Sequence, residues 1–349
     1  MLPAHEKGES DSDQQQQQAI KQGAGKGVAQ GSRPDLEHER GRVFTAKSGR
    51  LRLLVPLDGS RLAEAVLPSA AALAQRYQGE ILLLHILEQH PPSQVHGERH
   101  LRDIAEAGVY LEEVAARLRA EDLTVTVHVH ENREQSVARG IVEHVQELQS
   151  DLVVMCTHGN GGVRDLLFGS IAQQVLQRGP CPIWLVQPRK DGSAPLFKLR
   201  RILVPLDGTP EHEPGLPAAI ALARTFGAEL RLIFVIPTLT TLAGEQAVSG
   251  TMLPATMRAV LDLAEQGARS YLQQVAEQCQ SQGVKAQGEV LRGETVLEVV
   301  KLLERQELDL VVLASHGRTG LDALLSGSVA PRLVGRVSVP LLLVRATNL

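Results

Sequence analysis

Two aspartates each close a short apolar run and open a tight polar triplet: Asp58-Gly59-Ser60 and Asp207-Gly208-Thr209. A carboxylate in that place can accept hydrogen bonds from a ribose or an adenine amino group, or it can cap the helix that follows. Two glycine-bearing segments lie further along, one running from His158-Gly159 to Gly169-Ser170 and the other from His316-Gly317 to Gly327-Ser328. Glycines leave backbone N–H groups accessible, and a helix N-terminus carries unpaired donors and a partial positive charge. Together these suit phosphate. Ser170 and Ser328 add a hydroxyl, and Arg164 and Arg318 add positive charge from the intervening loop. The same serines also read as ordinary N-caps and the glycines as turn residues. Duplication of the whole constellation favours a binding site.

Other candidate groups carry less. Histidine titrates near neutral pH, but no acid, base or metal partner stands beside His158 or His316 in the chain, so they read as loop-orienting or ligand-touching rather than as general bases. His90, His96 and His100 are irregularly spaced in a polar, proline-bearing stretch and read as a solvated loop. His128 and His130 share one face of a strand, and two histidines are too few to assign zinc. There is no GxxxxGK[ST] loop, no GxGxxG after the first strand of either half, and no GxSxG elbow. Catalysis is hard to place, and no catalytic residue is assigned.

The elements that position these residues are legible from patterning. Leu53-Leu54-Val55-Pro56-Leu57 reads as a strand, followed by a turn and a helix from Leu62 to Tyr77; Ile202-Leu203-Val204-Pro205-Leu206 begins the same sequence again, with a helix ending near Phe226. The pattern Asp151–Gly159 is echoed by Asp309–Gly317, and Pro182–Val186 by Pro340–Val344. The chain therefore contains an internal repeat. In the first copy, strands near 52–57, 81–87, 123–130, 151–156 and 182–187 alternate with helices near 61–77, 101–121, 134–149 and 170–178. The second copy places strands near 201–206, 229–236, 285–291, 309–314 and 340–345. Several are continuous apolar runs, which implies burial on both faces and a parallel sheet covered by helices. The predicted fold is α/β: two tandem, doubly wound, five-stranded parallel-sheet domains of Rossmann-like, HUP type. The expected organisation is a disordered Gln-rich tail over 1–48, a first domain over 49–188, a linker over 189–199 and a second domain over 200–349. The uncharged stretch from Pro237 to Ala255 reads as a surface loop, with a lid or partner surface as the alternative.

Composition sets outer bounds. In 349 residues, 43% are hydrophobic and 22% charged, as in soluble globular proteins. A net charge of −4 without a Lys/Arg stripe argues against a nucleic-acid partner. Apolar runs fall far short of the roughly 20 residues of a membrane span. No signal-peptide core is evident, so a cytoplasmic protein is expected. Cys156, Cys181 and Cys279 lack metal or disulfide spacing and read as small buried hydrophobes.

The strand ends VPLDGS and VPLDGT, with THGNGG…LLFGS and SHGRTG…LLSGS, resemble the universal stress protein family over both halves, essentially Leu51 to Arg345. The nucleotide-binding branch of that family is marked by G-x2-G-x9-G-[ST]. Gly159 with Gly169-Ser170 and Gly317 with Gly327-Ser328 match it; the opening glycine is replaced by Cys156 and by Ala314. The resemblance implies that Pro56, Asp58 and Ile86, and likewise Pro205, Asp207 and Val235, line an adenosine. It implies that Gly159, Gly169, Ser170 and Ile171, and likewise Gly317, Gly327, Ser328 and Val329, hold the phosphates. It also implies pairing through the fifth strands, here internally, so that the strands near Ile183 and Leu342 lie close across a pseudo-twofold axis, with further homo-oligomers open. The expected function is binding of ATP or another adenine nucleotide, with or without Mg²⁺, acting in stress response through protein partners not specified by the sequence. The competing readings are a nucleotide-free scaffold, which Cys156 and Ala314 favour, and a nucleotidyl-transfer or slow ATP-hydrolysing enzyme, whose HxGH, KMSKS and SGGxDS marks are absent.

Overall fold

The computed structural model describes residues 50–88, 94–95, 98–99, 101–131, 136–157, 170–189, 192–209, 214–242, 247–248, 251–316 and 329–346. The first repeat runs β1 (Arg52–Pro56), α1 (Arg61–Glu64), α2 (Leu67–Tyr77), β2 (Glu80–Leu87), β3 (Gln94–Val95), β4 (Glu98–Arg99), α3 (Ile104–Arg119), β5 (Thr124–Glu131), α4 (Val137–Glu147), β6 (Leu152–Cys156), α5 (Ser170–Arg178) and β7 (Ile183–Val186). The second runs β8 (Arg201–Leu206), α6 (Gly215–Phe226), β9 (Glu229–Ile236), α7 (Pro254–Ser281), β10 (Ala286–Arg292), α8 (Thr295–Arg305), β11 (Leu310–His316), α9 (Val329–Val334) and β12 (Leu341–Ala346).

The strands form one ten-stranded sheet in the order β10-β9-β8-β11-β12-β7-β6-β1-β2-β5. Each half is a parallel five-stranded sheet in which the chain starts centrally, moves outward one way, then returns to the other side of its first strand. Within this sheet only the seam between halves is antiparallel: β7 pairs with β12 through Ile183↔Leu343, Trp184↔Leu342 and Leu185↔Leu341. Trp184 and Leu342 are equivalent positions of the repeat, so this register is symmetric about them and the pseudo-twofold axis passes between the pair. Pairing the two edges removes two rows of unmatched backbone donors and acceptors.

Strands such as Leu53-Leu54-Val55 and Val153-Val154 are buried on both faces because helices cover both sides. One layer of core, including Leu53, Val55, Leu73, Ile81 and Leu83, continues through Trp184 into Ile202, Val204 and Leu230 of the other half. The other layer contains Leu54, Leu84, Ile86, Ile141 and Val153. Each such side chain contributes about 1.5–3 kcal/mol relative to exposure. The connection between repeats packs as well. Phe197 stacks on Trp184 at 6.4 Å between ring centroids, and Leu199 is buried.

Some local features differ from the sequence expectation. The helix expected over 61–77 is two helices, α1 and α2, because Pro68 lies in the first turn of α2 and its ring clashes with a helical carbonyl at Glu64, where α1 stops. The polar stretch near residue 95 carries a two-residue antiparallel hairpin, β3–β4. Ala255 belongs to the helix α7, which spans 28 residues. Cys181 and Cys279 are buried, and burial pushes the Cys279 thiol up to about 11. Residues 1–49 lie outside the described chain. No helix of the described residues is long and apolar enough to cross a membrane.

Candidate functional site

In each half the strand order reverses between the first strand and the fourth, at β1/β6 and at β8/β11. Ligands of open α/β sheets sit beyond the carboxyl ends of the strands at this switch. Here proline ends the ladder between the two strands. The carbonyl of Arg52 accepts from Asp151 N–H in front of β6 at 2.9 Å, so β1 residues two and four places further on also direct their backbone groups toward β6. The last of these is Pro56, which has no N–H to give. The β1/β6 register accordingly holds at Leu53↔Leu152 and Leu54↔Val153 and extends no further. The second half repeats the device: Arg201 O accepts from Asp309 N–H at 2.9 Å, Pro205 is the donorless residue, and the β8/β11 register holds at Ile202↔Leu310 and Leu203↔Val311.

Asp58 and Asp207 follow the carboxyl ends of β1 and β8, each in the same local ring of hydrogen bonds. Asp58 Oδ1 accepts from the backbone N–H of Ser60 at 2.9 Å and from its hydroxyl at 2.6 Å. Asp207 Oδ1 accepts from Thr209 N–H at 3.0 Å and from its hydroxyl at 2.7 Å. The turn requires glycine between them, since Gly59 has φ +91° and Gly208 φ +75°. Asp58 does not cap α1, which corrects that reading for the first half. The N-cap of α1 is Ser60, whose Oγ accepts from Ala63 N–H at 3.1 Å, and α6 has no side-chain cap. Ser60, fully buried, was the residue missed; its place two residues after Asp58 is the signature of an Asx turn.

Residues 49–187 and 198–345 each match the sequence profile described as the universal stress protein family. The chain belongs to the universal stress protein family. A universal stress protein of Mycolicibacterium smegmatis is 26% identical over 309 residues, covering 84% of this chain and 96% of the relative. Universal stress protein MJ0531 of Methanocaldococcus jannaschii is 28% identical over 146 residues, covering 42% of this chain and 82% of the relative. Among solved structures, a universal stress protein from Archaeoglobus fulgidus DSM 4304 aligns with a TM-score of 0.61 at 16% identity, over 85% of this chain and 98% of that one. The PA1789 protein of Pseudomonas aeruginosa PAO1 aligns at 0.61 and 17% identity, over 86% and 95%. These likenesses show the fold, with both repeats included.

The remaining positions singled out by the universal stress protein resemblance divide into three groups. Pro56 and Ile86 share a sheet face, through the register Pro56↔Leu84 and the alternation to Ile86. Ile86 is buried against α4, where a Cβ on Gly140 would come within 3.3 Å of its Cδ1; Val235 is partly buried on the equivalent face. Ile171 and Val329 pack against the same core layer, so their side chains serve packing. Gly159, Gly169, Gly317, Gly327 and Ser328, together with His158, Arg164 and Arg318, lie outside the described residues, as do His90, His96 and His100. Ser170 begins α5 and His316 ends β11.

Cys156, which replaces the family's opening glycine, closes β6 and donates its S–H to the Leu62 carbonyl at 3.0 Å. It thereby ties the switch-side end of β6 to α1. Ala314 stands in the equivalent place in β11, and its backbone nitrogen lies 3.4 Å from where a Cβ on Gly215 would be. Both replacements therefore stand where the fourth strand of the repeat's sheet approaches the helix that follows its first strand.

Proposed function

We propose that the protein binds an adenine nucleotide, ATP with or without Mg²⁺, in the crevices at β1/β6 and β8/β11, and acts in stress response through nucleotide-dependent contacts with protein partners in the cytoplasm. The observation carrying this reading is a duplicated arrangement at the switch point: a donorless proline that ends the ladder between the two central strands, with an aspartate held by its own turn just beyond it. Pro56, Asp58 and Ile86 supply one adenosine wall; Pro205, Asp207 and Val235 supply the other. The segments Gly159–Gly169 and Gly317–Gly327, with Ser170, Ile171, Ser328 and Val329 at the helices that follow, receive the phosphates through backbone N–H groups. The nucleotide contributes charge and shape; this chain's residues orient it and exclude water. A binding role, with at most slow hydrolysis, fits the lack of any group assigned as base or nucleophile.

The S–H bond from Cys156 to Leu62 favours a second reading, a nucleotide-free scaffold, because a thiol stands where the family has glycine. Calorimetric titration of the nucleotide-stripped chain with ATP and Mg²⁺ separates the two. Saturable heat, lost in the Gly169→Val/Gly327→Val variant, supports binding through these segments, and the stoichiometry gives the number of working crevices. Absence of heat and of thermal stabilisation by ATP leaves the scaffold.

A further inference from the structure

Tertiary structure adds a third imidazole to the strand pair His128 and His130. The register Leu84↔His128 and Ile86↔His130 turns both rings to the face covered by α4. There they meet His144, with ring centroids 4.8 Å from His128 and 4.6 Å from His130. One nitrogen from each of the three lies within 4.8 Å of the others. We propose that His128, His130 and His144 bind a borderline transition-metal dication, Zn²⁺ in particular, at a site separate from the nucleotide crevices.

The ring at the centre is already arranged for this. His144 is 2% exposed, and its Nδ1 lies 2.8 Å from the carbonyl oxygen of Gly140. A carbonyl only accepts, so Nδ1 carries the proton and Nε2 presents its lone pair to the cluster. Ligating histidines typically hold their second nitrogen on a carbonyl or carboxylate in this way, which fixes ring orientation and raises ligand basicity. His130 is half-buried and His128 exposed, so both can turn to close the nitrogen separations to the roughly 3.4 Å that tetrahedral zinc with Zn–N near 2.1 Å demands. The carboxylate of Glu147, one turn along α4, lies 3.8 Å from His144 Nε2 and supplies an oxygen for the fourth position. Burial, then the neighbouring His144 and His130, holds His128 below the ordinary histidine range, against a raising influence from Glu147.

The repeat provides an internal comparison. By register, Glu289 and Leu291 of β10 stand where His128 and His130 stand in β5. Leu302 in α8 lies as far beyond the N-cap Glu294 as His144 lies beyond the N-cap Ser136 in α4. Glu289 and Leu302, with Arg231 and Gln306, line a cavity of about 260 Å³ at that place. The same fold therefore stands without imidazoles, and packing alone does not call for three of them in one half.

The test is titration of the full chain, freed of metal with a chelator and then of the chelator, with ZnCl₂ in the absence of nucleotide. One Zn²⁺ per chain is expected. The His128→Gln/His130→Gln variant, whose altered side chains are not core residues, is expected to melt as the parent does and to bind more than about 100-fold more weakly, beyond the 10–100-fold loss typical of outer-sphere changes. No uptake by the parent, or undiminished uptake by the variant, overturns the proposal. Should the variant fold poorly, Co²⁺ bound to the parent decides: d–d bands of a tetrahedral nitrogen and oxygen site support it, and a strong thiolate charge-transfer band places the metal on cysteine and overturns it. Because nucleotide is absent throughout, failure here leaves the crevice reading untouched.

Discussion

Tyr77 and Phe226 occupy the same position in the two repeats, and their rings meet edge to face across the pseudo-twofold axis, 6.3 Å apart at 63°. Beside them Arg76 Nε donates to the carbonyl of Thr225 at 2.6 Å, and Phe197 touches Phe226 at 5.6 Å. The ends of α2 and α6 are thus fastened to each other, above a seam already hydrogen-bonded through β7 and β12. A double-mutant cycle on Tyr77→Leu and Phe226→Leu in urea is expected to give a coupling of about 0.5–1.5 kcal/mol, as for aromatic pairs generally. Strict additivity of the two losses would mean that the rings are neighbours without mutual stabilisation.

Trp184 is the only tryptophan and sits in the middle of the seam, 1% exposed. Its emission therefore follows the joining of the halves, while far-UV dichroism follows both sheets. Because one core layer runs through Trp184 from one half to the other, the two signals are expected to change together in urea as a single transition. Emission changing well before dichroism would show halves that separate first. Trp184→Ala is expected to cost about 3–5 kcal/mol, the usual range for emptying so large a buried site.

Cys156→Gly restores the family residue and removes the bond to Leu62 O. Loss of that bond and the greater backbone freedom of glycine in the unfolded chain are expected to lower stability by about 1–2 kcal/mol. Under the proposed function, ATP affinity rises in the same variant as the thiol leaves the crevice. Thermal melts with and without ATP check both; unchanged stability would show that the S–H bond contributes nothing.

Glu294 caps α8, accepting from Leu297 N–H at 2.9 Å. Burial would raise its carboxyl, but the backbone N–H groups of Leu297 and Val296, with Arg332 beside it, outweigh this and hold the group below the ordinary carboxylate range. A depressed folded value means stability that is fully present above the unfolded value near 4.5 and is lost as pH falls through the lower folded one. Glu294→Ala is therefore expected to cost about 1 kcal/mol at neutral pH and progressively less below pH ~4.5. A gap independent of pH in denaturation series would exclude the ionised carboxylate as its source.

The ten strands of the main sheet, their order of appearance, the repeat and the positions of the switch-point aspartates were legible along the chain. These depend on local periodicity and on turn chemistry such as Asp58-Gly59-Ser60, which neighbouring residues settle among themselves. The sequence also carried the family, since motif spacing survives where overall identity is low. Helix termini were less visible: whether Pro68 merely starts α2 or also ends α1 depends on a clash four residues upstream. What only tertiary structure decided involves residues far apart in the chain. His144 comes to His128 because α4 packs over β2 beside the edge strand, Cys156 to Leu62 because α1 crosses the end of β6, and Tyr77 to Phe226 because two sheet edges pair. Each contact is closed by burial of apolar faces that have no preferred partner until the whole sheet assembles, so no spacing in the chain announces it.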